Sequence, residues 1–155
     1  MSTLAVIRPD SWDLPLYIHV LGAMVMVGSL VLAASYLFVA TRNGSLEAIN
    51  AGFRTLLYAA LPAFIVMRAG AEWIADKENL KDSNATWIGI GFTVSDLGAL
   101  LIVIATIASG LALRRARRAD GGENGGRGVT IAAWLVAVLI ALYVVAIWAM
   151  ATKPT

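Results

Sequence analysis

The sequence predicts an all-α, multi-pass membrane protein built as an up-down bundle of four transmembrane helices. Three observations predict this class. The 155 residues are 59% hydrophobic and only 14% charged, and their mean hydropathy is +0.78, so polar surface is too scarce for an ordinary soluble domain. Four apolar runs are long enough to cross about 30 Å of hydrocarbon at 1.5 Å per residue. The segments between these runs are polar, so we expect one membrane domain over residues 1–155 that contacts the lipid bilayer.

The first predicted span, residues 14–40, contains His19, the single histidine of the chain. Acidic residues precede this run, whereas a cleavable secretory signal places positive charge directly before a shorter apolar region. We therefore expect the helix to be retained. An ionisable side chain at membrane depth is by default a candidate functional residue.

The second predicted span, residues 52–74, contains Pro62 in its interior. Proline removes one backbone hydrogen bond of a helix, so a kink is expected there. Arg68 and Glu72 lie four residues apart near the end of this span and therefore share one helix face.

The third and fourth predicted spans cover residues 87–113 and 129–151. Asp96 lies about nine residues into the third span, roughly 13 Å along the helix. The glycine-rich segment 114–128 between these spans is predicted to be a flexible loop. It has no Lys-Ser or Lys-Thr step after its glycines, so it does not predict a phosphate-binding loop.

The basic residues predict the orientation in the membrane. The segments around the first and third connections contain most of the arginines, namely Arg42, Arg54, Arg114, Arg115, Arg117, Arg118 and Arg127. By the positive-inside rule these segments are cytoplasmic and both termini lie outside. The arginine run is interpreted as a topology signal and not as a nucleic-acid site. We expect a multi-pass protein of a bacterial cytoplasmic membrane.

In this orientation His19, Arg68, Glu72 and Asp96 all fall in the outer half of the bilayer. Charged groups within a membrane avoid lipid and face the bundle interior, which predicts one pocket between the first three spans. A purely structural interpretation is also open. His19 would then bond a backbone carbonyl or Asp96, and Arg68 would pair with Glu72.

Helical periodicity places small and polar residues on one face of the first span and of the third span. At about 100° per residue, these faces contain His19, Gly22, Ala23, Met26, Leu30 and Ala33 on the first span, and Gly89, Thr93, Asp96 and Leu100 on the third. Small residues allow a neighbouring helix or a flat cofactor to approach closely. The pattern does not establish whether the two faces meet.

Three functions are compatible with these residues. A b-type haem would use His19 as an axial ligand and a methionine, a water or a second protomer on the other side. Copper would use His19 with Met26 or Asp96, although Met26 lies about 10 Å along a straight helix from His19. Alternatively, Arg68, Glu72, Asp96 and His19 would line a proton path or bind an anionic ligand. No nucleophile with an adjacent base is visible, so catalysis is not expected.

The first span also resembles a known group of helices. The resemblance lies in Leu16-Tyr17-Ile18-His19-Val20-Leu21-Gly22-Ala23 and the following Val27-Gly28-Ser29. This pattern is similar to the first helix of small bacterial four-helix membrane proteins of unknown function, and to the related membrane domain of the copper-resistance D family. His19, Gly22 and Gly28 match, and Ser29 replaces the usual second glycine.

The resemblance implies copper or haem handling at the membrane, with His19 as the ligand. The chain departs from the copper family because it has no second histidine. A non-catalytic subunit or assembly factor of a larger membrane complex, or a homo-oligomer, therefore remains the alternative. In that case the glycines of the third span would be contact surfaces.

Overall fold

The computed structural model describes residues 13–77, 86–118 and 126–152. Apart from Gly44 and Ser45, all of these residues are helical. They form four helices, α1 (Asp13–Asn43), α2 (Leu46–Lys77), α3 (Thr86–Arg118) and α4 (Gly126–Thr152). All four are long and apolar enough to cross a membrane, which confirms the predicted four-span, all-α class.

The four helices are arranged so that each packs mainly against two others. α1 contacts α2 and α4, and α3 contacts the same two helices from the other side. The largest fully buried apolar side chains are Met26, Leu30, Leu37, Ile49, Leu56, Ile102, Val129, Val136 and Leu139. Apolar side chains such as Leu100, Ile107 and Ile131 are more than half exposed on the outside of the bundle. Such an outer surface is compatible with contact to lipid, which is as apolar as the side chains themselves.

The turn between α1 and α2 is shorter than the sequence predicts. Gly44 has a φ of 65°, a left-handed conformation that glycine adopts without steric cost, and its N–H donates to the carbonyl of Ala40 over 2.9 Å. The Ser45 hydroxyl then accepts a hydrogen bond from the N–H of Ala48 at 3.2 Å. This cap satisfies one of the free donors at the start of a helix, so α2 begins at Leu46 and not near residue 52.

Pro62 is accommodated by a change of helix type. Residues Leu56–Ala60 form a π-helical segment within α2, and the N–H of Leu61 bonds the carbonyl of Leu56, five residues back. Single π-helical turns of this kind are a recognised cause of helix irregularity. The disturbance expected at Pro62 therefore appears as a wider turn just before it, and the helix continues to Lys77.

The helices α3 and α4 both extend into the predicted loop. Residues 114–118 form the last turn of α3, and α4 begins at Gly126, which has a φ of 58°. Residues 119–125 of the predicted loop lie outside the described residues. The end of the bundle that carries Arg42, Arg114, Arg115, Arg117, Arg118 and Arg127 is called the arginine end below. There the Arg117 guanidinium donates to the side-chain oxygen of Asn50 on α2, at 3.3 Å.

Candidate functional site

Two glycines bring the backbones of α1 and α2 into direct contact. A Cβ atom added to Gly22 of α1 would lie only 2.7 Å from the backbone nitrogen of Met67 on α2. A Cβ added to Gly70 of α2 would likewise lie 2.7 Å from the backbone nitrogen of His19. Only glycine fits at both positions, because an approach this close leaves no room for a side chain. The pair therefore fixes His19 against Met67.

His19 uses this contact to bond a backbone carbonyl. Its Nδ1 atom lies 3.0 Å from the carbonyl oxygen of Met67. Since a carbonyl oxygen only accepts, Nδ1 is the protonated nitrogen and donates. When the imidazole is neutral, Nε2 then has a lone pair and no proton. The hydrogen-bond partner of His19 is therefore a backbone carbonyl, and not Asp96, which was the other partner expected from the sequence.

A cavity of about 900 Å³ lies in the half of the bundle opposite the arginine end. Residues of all four helices line it, including His19, Arg68, Phe92 and Tyr143. Its walls are mostly apolar, and they include Met24, Met26, Met67 and Met150, which are all the methionines within the described ranges. Small-molecule sites typically have volumes of about 300–1,000 Å³ and largely apolar walls. Methionine side chains are flexible and adapt to the shape of a ligand.

The cavity exists because α2 and α3 separate along their length. Their contacts are concentrated in the first part of α2 and become sparse beyond the π-helical segment. In the sparse region Arg68 connects the two helices. Its Nη2 atom lies 2.9 Å from Glu72 Oε1 on the same helix and 3.0 Å from Asp96 Oδ1 on α3. Its guanidinium carbon lies 5.2 Å from the centre of the Phe92 ring, within cation–π range.

The structure divides the predicted polar pocket into two parts that share Arg68. His19, Met26 and Arg68 line the cavity. Glu72 and Asp96 pair with Arg68 but are not among the described residues that line it. The Asp96 side chain is 70% exposed and lies on the outside of the bundle.

The predicted face of α3 also points outward. Gly89, Thr93, Asp96 and Leu100 are all exposed, and a Cβ at Gly89 would meet no atom within 4 Å. The side of α3 that faces the bundle contains Ser95 and Gly98 instead. Periodicity grouped the four residues correctly but could not tell which side they face, because lipid and the bundle interior are both apolar.

Two buried hydroxyls in the cavity wall were not singled out from the sequence. Ser95 and Tyr143 are only 8% and 5% exposed. Their oxygen atoms have no hydrogen-bond partner among the described residues, and both residues line the cavity. The sequence feature that could have identified them is a serine and a tyrosine within otherwise apolar spans. Helical serines commonly satisfy their hydroxyls within the helix, so that signal was weak.

The donor set of the cavity limits the metals it could hold. No group of three or more His, Asp or Glu side chains within the described residues could hold a metal ion. The cavity offers one imidazole together with methionine thioethers. No protein-family model, no curated protein and no solved structure matches this chain. The function therefore has to be argued from the cavity itself.

Proposed function

We propose that this membrane protein binds a flat, lipophilic cofactor in the cavity, with His19 as its anchor, and that the cofactor is a b-type haem. The bond from His19 Nδ1 to the Met67 carbonyl supports this proposal, because it leaves the Nε2 lone pair for a molecule in the cavity. Proteins commonly fix the tautomer and orientation of a metal-ligating imidazole through such a second hydrogen bond.

The remaining walls of the cavity fit a haem. The volume of about 900 Å³ is large enough for a cofactor, and the lining is largely apolar. Methionine side chains from three helices would be further ligands for the iron, and Arg68, which pairs with Glu72 and Asp96, would be the nearest cation for a carboxylate of the cofactor. When bound, haem supplies one-electron redox chemistry. The role of the protein is then to bind the ring, orient it and keep water away.

A copper ion fits the same residues less well. Copper sites in proteins combine several imidazole and sulfur ligands. The cavity contains one imidazole, and its methionine thioethers come from three different helices. A flat cofactor uses the whole cavity, whereas a single ion would use only the part next to His19.

The proposal includes an orientation and a location. We place the arginine end in the cytoplasm, the cavity in the outer half of the bilayer and both termini outside. The arginines at one end support this through the positive-inside rule. The similarity of the string around His19 to the first helix of small bacterial membrane proteins supports the cytoplasmic membrane of a bacterium.

Absorption spectra of the purified protein test the proposal. We would record oxidised and reduced spectra in detergent, measure iron and copper in the same sample, and titrate metal-free protein with haemin. We expect a Soret band in the wild type that is lost in His19→Ala and recovers when imidazole is added. His19→Asn is the matched control, because its amide nitrogen takes the position of Nδ1 and can still donate to the Met67 carbonyl, whereas no atom takes the position of Nε2. That variant should retain the melting temperature within a few degrees and lose the Soret band. A wild type that neither contains nor binds haem would disprove the proposal.

A non-catalytic subunit of a larger membrane complex is the second candidate, and the outer face of α3 favours it. Asp96 is a charged residue with an exposed side chain within a span, and the adjacent Gly89 and Thr93 would allow another helix to approach. Colourless wild-type protein that is as stable as His19→Asn would favour this function. A proton path is the less favoured function, because Asp96 and Glu72 both pair with Arg68.

A further inference from the structure

The half of the bundle with the arginine end has a large excess of positive charge. It contains seven of the nine arginines of the chain, and all seven are exposed. Among the described residues none of the seven pairs with a carboxylate, and Glu47 is the single described acid of this half. The connection 119–125 adds only Asp120 and Glu123 to the sequence. The excess of positive charge therefore remains when the whole sequence of this region is counted.

The type of basic residue also differs between the two halves. The three lysines of the chain lie at the end of α2 or after α2 and α4 in the sequence, and the half with the arginine end contains none: they are Lys77, Lys81 and Lys153. The positive-inside rule counts lysine and arginine alike. Arginine differs because its planar guanidinium can donate two parallel hydrogen bonds to one phosphate. The exclusive use of arginine is therefore not explained by topology alone, and it favours contact with phosphate.

Three of these arginines lie along the contact between α2 and α3. Arg117 of α3 donates to Asn50 of α2 at 3.3 Å, and Arg54 follows Asn50 by four residues, so the two share a face of α2. Arg114 precedes Arg117 by three residues and follows Gly110, which packs against α2, by four. Residues at these spacings share a helix face. Arg54, Arg114 and Arg117, called the arginine cluster below, therefore extend from adjacent turns of two packed helices.

The arginine cluster brings together three like charges that no described acid neutralises. Arginine stays charged at every physiological pH, and like charges one helical turn apart repel each other. An anion bound between the guanidinium groups would remove this repulsion. The cluster therefore has the charge and the hydrogen-bond donors of an anion site.

Exposed aromatic side chains place the arginine cluster at the level of the lipid headgroups. Tyr58 follows Arg54 by about one turn of α2, and Trp134 lies about 10 Å along α4 from Arg127. Their exposed fractions are 69% and 61%. Tyrosine and tryptophan rings are enriched at the boundary between membrane and water. With the two rings at this boundary, the arginines lie on its aqueous side, where the phosphates of phospholipids are.

We infer that the arginine cluster binds the phosphate of an anionic phospholipid that lies against the outside of the contact between α2 and α3. Basic residues at the membrane surface attract anionic lipids. An acyl chain of the same molecule would run along the apolar outer surface of the bundle. Ile107, two turns from Arg114 on the same face of α3, is 56% exposed there. The inference concerns the half of the bundle without the cavity, so it does not depend on the haem proposal.

Competition between two lipids tests this inference. The full-length protein in detergent is mixed with equal amounts of phosphatidylglycerol and phosphatidylcholine that have the same acyl chains. Native mass spectrometry then gives the ratio of the two lipids that the protein retains. A parallel sample contains inorganic phosphate in place of chloride at equal ionic strength, which distinguishes a lipid phosphate from free phosphate.

Three triple variants separate the arginine cluster from the general charge of this end. The cluster variant combines Arg54→Gln, Arg114→Gln and Arg117→Gln, and the lysine variant has lysine at the same three positions. The matched control removes the same charge elsewhere at this end, by Arg42→Gln, Arg115→Gln and Arg127→Gln. Arg115 follows Ala112 by three residues, and Ala112 contacts Gly128 of α4, so Arg115 lies on the other side of α3.

We expect the wild type to retain phosphatidylglycerol over phosphatidylcholine by about fivefold or more. The cluster variant should lose most of this preference, and the matched control should keep it within about twofold. The lysine variant should weaken it by a few-fold, because an ammonium group contacts phosphate as a point charge and not as a planar pair of donors. Inorganic phosphate should leave the ratio unchanged.

Four results would overturn the inference. A wild type without lipid preference would show that this end binds no anionic lipid. An equal loss of preference in the cluster variant and the matched control would show that the charge acts diffusely and that the cluster is not a site. A lysine variant with the wild-type ratio would remove the role of the guanidinium groups. Displacement of phosphatidylglycerol by inorganic phosphate would identify free phosphate as the ligand.

Discussion

The two halves of the bundle differ in how closely α2 and α3 pack against each other. Toward the arginine end, α2 and α3 lie in contact, and a Cβ at Gly110 of α3 would lie 2.9 Å from the Phe53 ring of α2. In the opposite half the same two helices separate, Arg68 and Asp96 connect them, and about 900 Å³ remains open. Interiors are normally close-packed. Under the proposed function, the closely packed half stabilises the bundle and the open half binds the cofactor.

The largest expected effect comes from the glycine contact that fixes His19. Gly70→Ala would introduce a Cβ 2.7 Å from the His19 backbone nitrogen, which is not a flexible group. Forcing extra atoms into a close-packed site costs about 1–3 kcal/mol. We expect a clearly lower melting temperature in detergent and weaker haemin binding, because α1 and α2 must move apart and lengthen the His19 bond to Met67.

Gly89→Ala is the control for this change. Gly89 is a helical glycine of the same half, but it is exposed and nothing lies within 4 Å of its added Cβ. Alanine is the better helix former by about 0.5–1 kcal/mol, so stability should be equal or higher. Equal melting temperatures for Gly70→Ala and Gly89→Ala would contradict the close contact of α1 and α2.

A smaller effect is expected at the ion pairs that connect α2 and α3. Arg68→Gln removes the cation from both Glu72 and Asp96 and leaves two carboxylates next to each other. Asp96→Asn leaves the pair between Arg68 and Glu72 in place. An ion pair exposed to water contributes about 0–1 kcal/mol, and a charge left unpaired within a span costs more than one in water, so we expect at least about 1 kcal/mol of destabilisation for Arg68→Gln and less for Asp96→Asn. Thermal melts of both variants at low and high salt would check the order. A larger effect of Asp96→Asn would show that Asp96 has another partner.

The sequence predicted the helices better than it predicted their faces. Run length and hydropathy identify four spans, because the thickness of the hydrocarbon layer sets the length of a crossing helix. The face of α1 with Gly22 and Met26 was also predicted correctly, and both residues are buried. The ends of the helices were less predictable: α2 begins early because Ser45 caps it, and α3 continues to Arg118 beyond the apolar run.

The candidate site could be predicted only in part. His19 and Arg68 stood out because ionisable residues are rare within spans, and the structure places both in the cavity wall. Ser95 and Tyr143 did not stand out, because no sequence pattern shows that their hydroxyls have no hydrogen-bond partner among the described residues. Such an absence is a property of three-dimensional packing. The sequence likewise could not predict that Asp96 lies on the outside of the bundle, since an apolar helix has no strong periodic signal.

The smallest expected effect on stability is at Gly91 of the open half, compared with Gly110 of the closely packed half. Gly110→Ala would place a Cβ 2.9 Å from the Phe53 ring, in the closely packed half. Gly91→Ala would place one 2.8 Å from the terminal methyl group of Met150, which lies beside the cavity and can move into it. We expect about 1 kcal/mol of destabilisation for Gly110→Ala by overpacking and almost none for Gly91→Ala, as measured by thermal melts.

Ligand binding should show the opposite order for the same two variants. Displacing the Met150 methyl group narrows the cavity, so Gly91→Ala should weaken haemin binding by a few-fold, whereas Gly110→Ala should leave the affinity unchanged. Haemin titrations of both variants at a temperature well below either melting transition would measure this. If both variants lost stability and affinity to the same degree, the bundle would respond as one packed unit, and the division into a folding half and a binding half would be wrong.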